Sequence, residues 1–272
     1  MKKLILTGLF AATIGMVGAQ TFPEPSPKAS TSQTVGLTEI EIEYSRPGIK
    51  DRTIFGELVP YGKIWRTGAN AATKITFSTD VNIDGNPVKA GEYSIFTIPE
   101  EDAVTVMFNS DAKASVGKYD ESLDVAKVKV PFERAERVER LRFSIENVED
   151  ASADIVMSWA GKSFSVPVTV DTDKLVEQRM EEKLKEGEQP FNFYNAAAGY
   201  LMDKDPARAV EMAKKSTDMQ PYFWNVTTLA RAHAAAGNKD AAKEAADWGI
   251  KLAKESGAEY YVRMNEEIKA GL

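Results

Sequence analysis

The chain of 272 residues has no cysteine and a single histidine, His233. Without thiols there are no disulfides, no thiolate nucleophile, no cysteine-ligated zinc and no lipid attached through a cysteine behind a leader. With one imidazole, Ser-His-Asp hydrolysis and His-ligated zinc lack their parts. Basic charge is also short: 34 Lys and Arg stand against 41 Asp and Glu. No dense Lys/Arg stripe interleaved with aromatics appears, and a face that displaces counterions from phosphates needs one, so no nucleic acid is expected as a partner. No segment approaches the ~20 consecutive apolar residues of a membrane span. No Gly-rich phosphate loop or dinucleotide fingerprint occurs. The stretch Asn82-Ile83-Asp84-Gly85-Asn86 is too short for a calcium loop and lacks its later glutamate. No cofactor, no metal and no catalytic residue is assigned.

What is present begins with a leader. Lys2 and Lys3, an apolar run from Leu4 to Val17 and small residues at Val17-Gly18-Ala19 read as a signal peptide over 1–19, so the chain is expected to be exported, to a periplasm or outside the cell. Its removal takes two lysines and no acids, moving the formal charge from −7 to −9. Residues 20–29 carry three prolines and no periodicity and read as a flexible lead-in.

From there to residue 171 the period is two. Ile40, Ile42 and Tyr44 alternate with three glutamates, which predicts a strand with one wet face. Similar alternation recurs at Ile75–Ile83, Tyr93–Ile95, Val104–Phe108, Val128–Val130, Leu141–Ile145, Ala153–Trp159 and Phe164–Val170, with turn residues such as Asp84-Gly85-Asn86 between. Eight or nine short strands joined by turns predict an antiparallel β-sandwich, jelly-roll-like, over 30–171. At Asp171 the period changes. Val176, Met180 and Leu184 make a helical stripe that Gly187 ends, and residues 172–272 read as an α-helical domain. The expected fold class is therefore β plus α, in two domains.

Two resemblances follow from particular residues. Phe193, Ala196, Ala197, Tyr200, Ala209, Ala213 and Pro221, with Leu229, Ala230, His233, Gly237, Ala242 and Ala246 one unit later, resemble two tetratricopeptide hairpins, followed by a last helix near 258–270. The resemblance implies a protein or peptide partner, and it puts His233 where the repeat packs a tyrosine. In the first domain YSRP at 44–47, GELVPYGKIWRTGAN at 56–70, ITFSTDVNIDG at 75–85 and AGEYSIFTIP at 90–99, preceded by SPKASTSQTVG at 26–36, resemble the secreted bacterial family catalogued as domain of unknown function 2911, over about 26–171. That family brings no catalytic residues or ligand to transfer.

The stretch Ser45–Asn70 interrupts the strand pattern and is the candidate site, because long ordered loops tend to carry function. Arg46, Arg52 and Arg66 supply guanidinium forks for carboxylates, Tyr61 and Trp65 flat ring surfaces for sugar faces, and Asn70 an amide. An anionic or glycan ligand fits that set. A structural role stands beside it, with Trp65 plugging the end of the sandwich and Arg66 bonding backbone carbonyls. Acid groups at Glu100-Glu101-Asp102, Asp120-Glu121-Asp124 and Glu149-Asp150 read as solvated turns, yet two facing carboxylates would suffice for a glycosidase. The leading expectation is an exported binding protein of unknown ligand; the alternative is a carboxylate-based hydrolase acting on envelope or extracellular polysaccharide.

Overall fold

A computed structural model describes residues 22–272, and the expected leader lies outside them. The described chain divides into two compact units, one ending at Thr172 and the other spanning Asp173–Leu272.

The first unit holds twelve strands: β1 (Lys28–Val35), β2 (Thr38–Ser45), β3 (Thr73–Phe77), β4 (Val81–Ile83), β5 (Asn86–Val88), β6 (Gly91–Pro99), β7 (Ala103–Asn109), β8 (Asp124–Pro131), β9 (Glu133–Arg134), β10 (Arg142–Glu146), β11 (Ser152–Trp159) and β12 (Lys162–Val170). Every pairing is antiparallel. One sheet runs β1-β2-β3-β6-β7-β8 and the other β10-β11-β12-β4-β5, with β9 paired to β12. Ile40, Ile42, Ile75, Ile95 and Phe108 from the first sheet share one core with Phe143, Ile155, Phe164, Val166 and Val168 from the second. Burying each such side chain contributes about 1.5–3 kcal/mol relative to exposure. Edge strands also approach, β1 beside β10 and β8 beside β5.

Lys28 and Ala29, expected in the flexible lead-in, are strand residues: Lys28 pairs with Ser45 and Ala29 with Tyr44. In β1 the inward positions are mostly small or polar, so alternation carries no signal, and the ladder to β2 holds the strand instead. Gly36 closes that hairpin at φ +56°, and a Cβ there would stand 2.7 Å from the Asp150 carbonyl oxygen. The expectation of one wet face fails locally as well. Phe96 and Met107, on the opposite face of β6 and β7 from Ile95 and Phe108, are buried with Ala72 and Ala114 beneath half-buried Ile64 and Tyr119.

The second unit is six helices: α1 (Thr172–Glu186), α2 (Phe191–Leu201), α3 (Pro206–Met219), α4 (Phe223–Ala235), α5 (Lys239–Glu255) and α6 (Glu259–Ala270). Gly187, at φ +129°, follows α1, and Asp205 caps α3 by accepting from the Arg208 N–H at 3.1 Å. Consecutive helices from α2 to α6 pack on one another through alanines, among them Ala198, Ala213, Ala230 and Ala246. Small side chains let helix backbones approach closely. The α1 helix adds Met180 and Leu184 to that core and binds Arg208 through Glu177. Among the described residues no helix is long and apolar enough to cross a membrane.

Candidate functional site

Between β2 and β3 the chain makes a 27-residue excursion, residues 46–72, pinned from several sides. Ile49, Ile54 and Val59 are pegs in the shared core. Trp65 extends the β6 ladder beyond the end of β3, its N–H donating to Thr97 O at 2.8 Å and its carbonyl accepting from Thr97 N–H at 2.9 Å. Gly62 N–H donates to Pro99 O at 2.8 Å. Four non-glycine residues here have positive φ: Lys50, Asp51, Thr67 and Asn70, at 48°, 58°, 54° and 61°. For the β-branched Thr67 that conformation is strained, and surrounding bonds hold it: its hydroxyl donates to Thr97 Oγ1 at 3.1 Å, and its carbonyl accepts from Thr73 Oγ1 at 2.8 Å.

The six candidate residues do not all share one place. The half-buried Arg46 donates through Nε to Leu141 O at 2.9 Å and lines no depression with the others, so its role is to tie the end of β2 to the start of β10. Arg52, Trp65, Arg66 and Asn70 converge on one depression of about 360 Å³, which Leu58 and Trp159 also line. Arg52 is oriented by its own turn, with Nε bonded to Ile49 O at 2.9 Å and Nη2 to Gly48 O at 2.6 Å. Arg66 donates to Asn70 O, and the Asn70 amide reaches Ser45 Oγ at 3.2 Å and Ser26 O at 3.3 Å. The Trp65 Nε1–H donates to Gly68 O at 3.1 Å while the ring stacks on buried Trp159, centroids 5.9 Å apart. The structural role weighed for this loop is met in part by these bonds, Arg66 holding a backbone carbonyl and Trp65 packed on Trp159.

No carboxylate lines this depression, and among the described residues neither Arg52 nor Arg66 makes an ion pair. Their bonds go to carbonyl oxygens, which orient a guanidinium but leave its charge uncompensated and most of its donors uncommitted.

Tyr61 lies elsewhere, at 36% exposure, where it lines two further depressions of about 480 and 550 Å³. The 480 Å³ depression adds Arg137, Lys162, Phe55, Asp51 and again Arg52. The 550 Å³ one adds Phe132, Arg134 and three exposed acids, Glu101, Asp102 and Glu133. Lys162 donates to Glu101 O and Phe132 O at 2.6 and 3.0 Å. Sequence reasoning missed Leu58, Arg137, Trp159 and Lys162. Trp159 reads as an ordinary inward strand residue, and Arg137 and Lys162 arrive from far along the chain with no local pattern to mark them.

The clearest displaced titrations lie away from these depressions. Burial, helped by the Asp124 carboxylate that accepts its hydrogen bond, pushes the Tyr119 hydroxyl well above the usual range. Burial holds His233, on α4, below its ordinary 6.5. Among the described residues no group of three or more histidine, aspartate or glutamate side chains is placed to hold a metal ion.

The family described as "Protein of unknown function (DUF2911)" matches residues 26–168, more than half the chain, and the chain belongs to it. Comparison with curated proteins and with solved structures gives no match.

Proposed function

We propose that this member of the DUF2911 family is an exported binding protein whose β unit, a β-sandwich, takes a small carboxylate-bearing ligand with an apolar ring face. The depression of Arg52, Trp65, Arg66 and Asn70 is the binding site. The observation that carries the reading is the convergence there of two carbonyl-oriented guanidinium groups with no carboxylate lining the depression. In a protein with an excess of acids, a local concentration of uncompensated cation selects anions by charge and, through the forked donors, carboxylates by shape. The indole of Trp65 beside them offers a flat surface to a sugar ring.

The helical unit, its first helix followed by two tetratricopeptide-like hairpins and a last helix, is the protein- or peptide-binding lobe. Its half-exposed ring group, Phe191 with Tyr222 stacked on Trp224 at 5.6 Å, supports that assignment.

The test is calorimetric titration with galacturonate and with galactose, which share a ring and differ by the carboxylate. Galacturonate binds and galactose does not, and Leu58→Glu weakens binding about tenfold, because Leu58 lines the depression and is 47% exposed. Equal binding of the two sugars, or no response to Leu58→Glu, contradicts the reading.

The hydrolase reading rests on Glu101, Asp102 and Glu133 lining one depression beside Tyr61. All three are exposed, whereas a general acid is usually held protonated by burial, so the binding reading is preferred.

A further inference from the structure

The depression of Arg52 and Arg66 shares a wall residue with a second one. Arg52 lines both, and across it lie Arg137, Tyr61 and Lys162. Arg137 is exposed and makes no hydrogen bond or ion pair among the described residues, so its charge is free for a ligand. The Tyr61 ring lies against Gly56, which adopts φ +94° and where a Cβ would approach the ring to 3.2 Å. Four cations, Arg66, Arg52, Arg137 and Lys162, line the two depressions taken together against one acid, Asp51, and each depression has a flat ring, Trp65 in one and Tyr61 in the other. In the third depression, which Tyr61 and Lys162 also line, three acids, Glu101, Asp102 and Glu133, stand against Lys162 and Arg134.

Cations accompanied by a flat ring in each of two depressions that share Arg52 fit a chain whose units each carry a negative charge and an apolar ring face. We propose that the ligand is a segment of a linear acidic polysaccharide, with one uronate residue in the Arg52–Arg66 depression and its neighbour over Tyr61 against Arg137. This inference rests on the binding site proposed above and extends it. Acidic peptides supply the charge without the ring faces, and nucleic acids supply a regular phosphate backbone that four scattered cations do not track. The third depression, where acids outnumber cations three to two, favours a further uronate less than the first two do.

Calorimetry of the full mature chain with oligogalacturonates of one to six residues tests this, with neutral oligosaccharides of the same lengths and a short polyglutamate as comparisons. Affinity rises at least tenfold from the monomer to the short oligomers and then levels off. Arg137→Gln removes that gain and lowers monomer affinity far less than Leu58→Glu does; since the side chain is exposed and makes no hydrogen bond or ion pair among the described residues, the variant folds. Monomer binding with no gain in length, or a gain that Arg137→Gln does not touch, overturns the extended site and leaves the smaller one standing. Loss of monomer binding itself overturns both. Equal binding of polyglutamate overturns the glycan assignment, and equal binding of neutral oligosaccharides overturns the role of charge.

Discussion

Asn70 serves the loop and the depression at once. It sits at φ +61°, where Asn is tolerated better than most residues, and its amide bonds Ser45 and Ser26. Replacing it tests which property matters. Asn70→Ala loses both the bonds and the tolerance for positive φ and is expected to destabilise the protein by about 2–3 kcal/mol, whereas Asn70→Gly keeps the backbone geometry and loses only the bonds, about 1 kcal/mol. Urea denaturation separates them; equal losses would mean that the backbone conformation is not a constraint here. The same scale shows what could be read in advance. Arg52, Trp65, Arg66 and Asn70 were visible as a set because charged forks, a flat ring and an amide crowd one loop. Arg46 belongs to the same stretch by composition, but its partner, the Leu141 carbonyl, lies 95 residues away, and nothing local distinguishes a tether from a ligand contact.

Elements with an apolar face were legible, and elements held only by backbone pairing were not. β2 declares itself, with Ile40, Ile42 and Tyr44 buried and three glutamates exposed. β1 and β5 do not: one is largely polar, and the other is three residues with Pro87 at its centre, tolerated because β5 ends its sheet. Continuous burial along β6 comes from Phe96 beneath the 110–123 segment, a tertiary contact that alternation alone does not show. In the helical unit the alanine pattern is informative, but one contact reverses an ordinary preference. Gly249 of α5 lies against Asn265 of α6, whose amide donates to Thr227 Oγ1 at 2.7 Å and to Tyr261 O at 2.8 Å. Gly to Ala inside a helix normally stabilises by about 1 kcal/mol. Here a Cβ would stand 2.9 Å from both amide atoms of Asn265, so Gly249→Ala is expected to destabilise the unit by about 1–3 kcal/mol. Thermal denaturation followed by circular dichroism checks the sign; a raised midpoint would show that α5 and α6 can separate at no cost.

Across the described residues there are two large cores, the smaller cluster around Phe96 and Met107, and one charge contrast. One core lies between the two sheets and another among the helices. Acidic charge dominates the chain, while the depression beside Trp65 carries arginines and no acid. The most direct measurement of that contrast uses the four tryptophans, Trp65, Trp159, Trp224 and Trp248, as separate reporters. Titration with galacturonate, followed through the indole N–H signals by NMR, is expected to shift Trp65 strongly and Trp159, stacked on it, by less, with Trp224 and Trp248 still. Raising the salt concentration weakens the effect, as an exposed ion-paired ligand requires. Four unmoved indoles at millimolar ligand, or movement confined to Trp224 and Trp248, would contradict a binding site between Arg52 and Arg66.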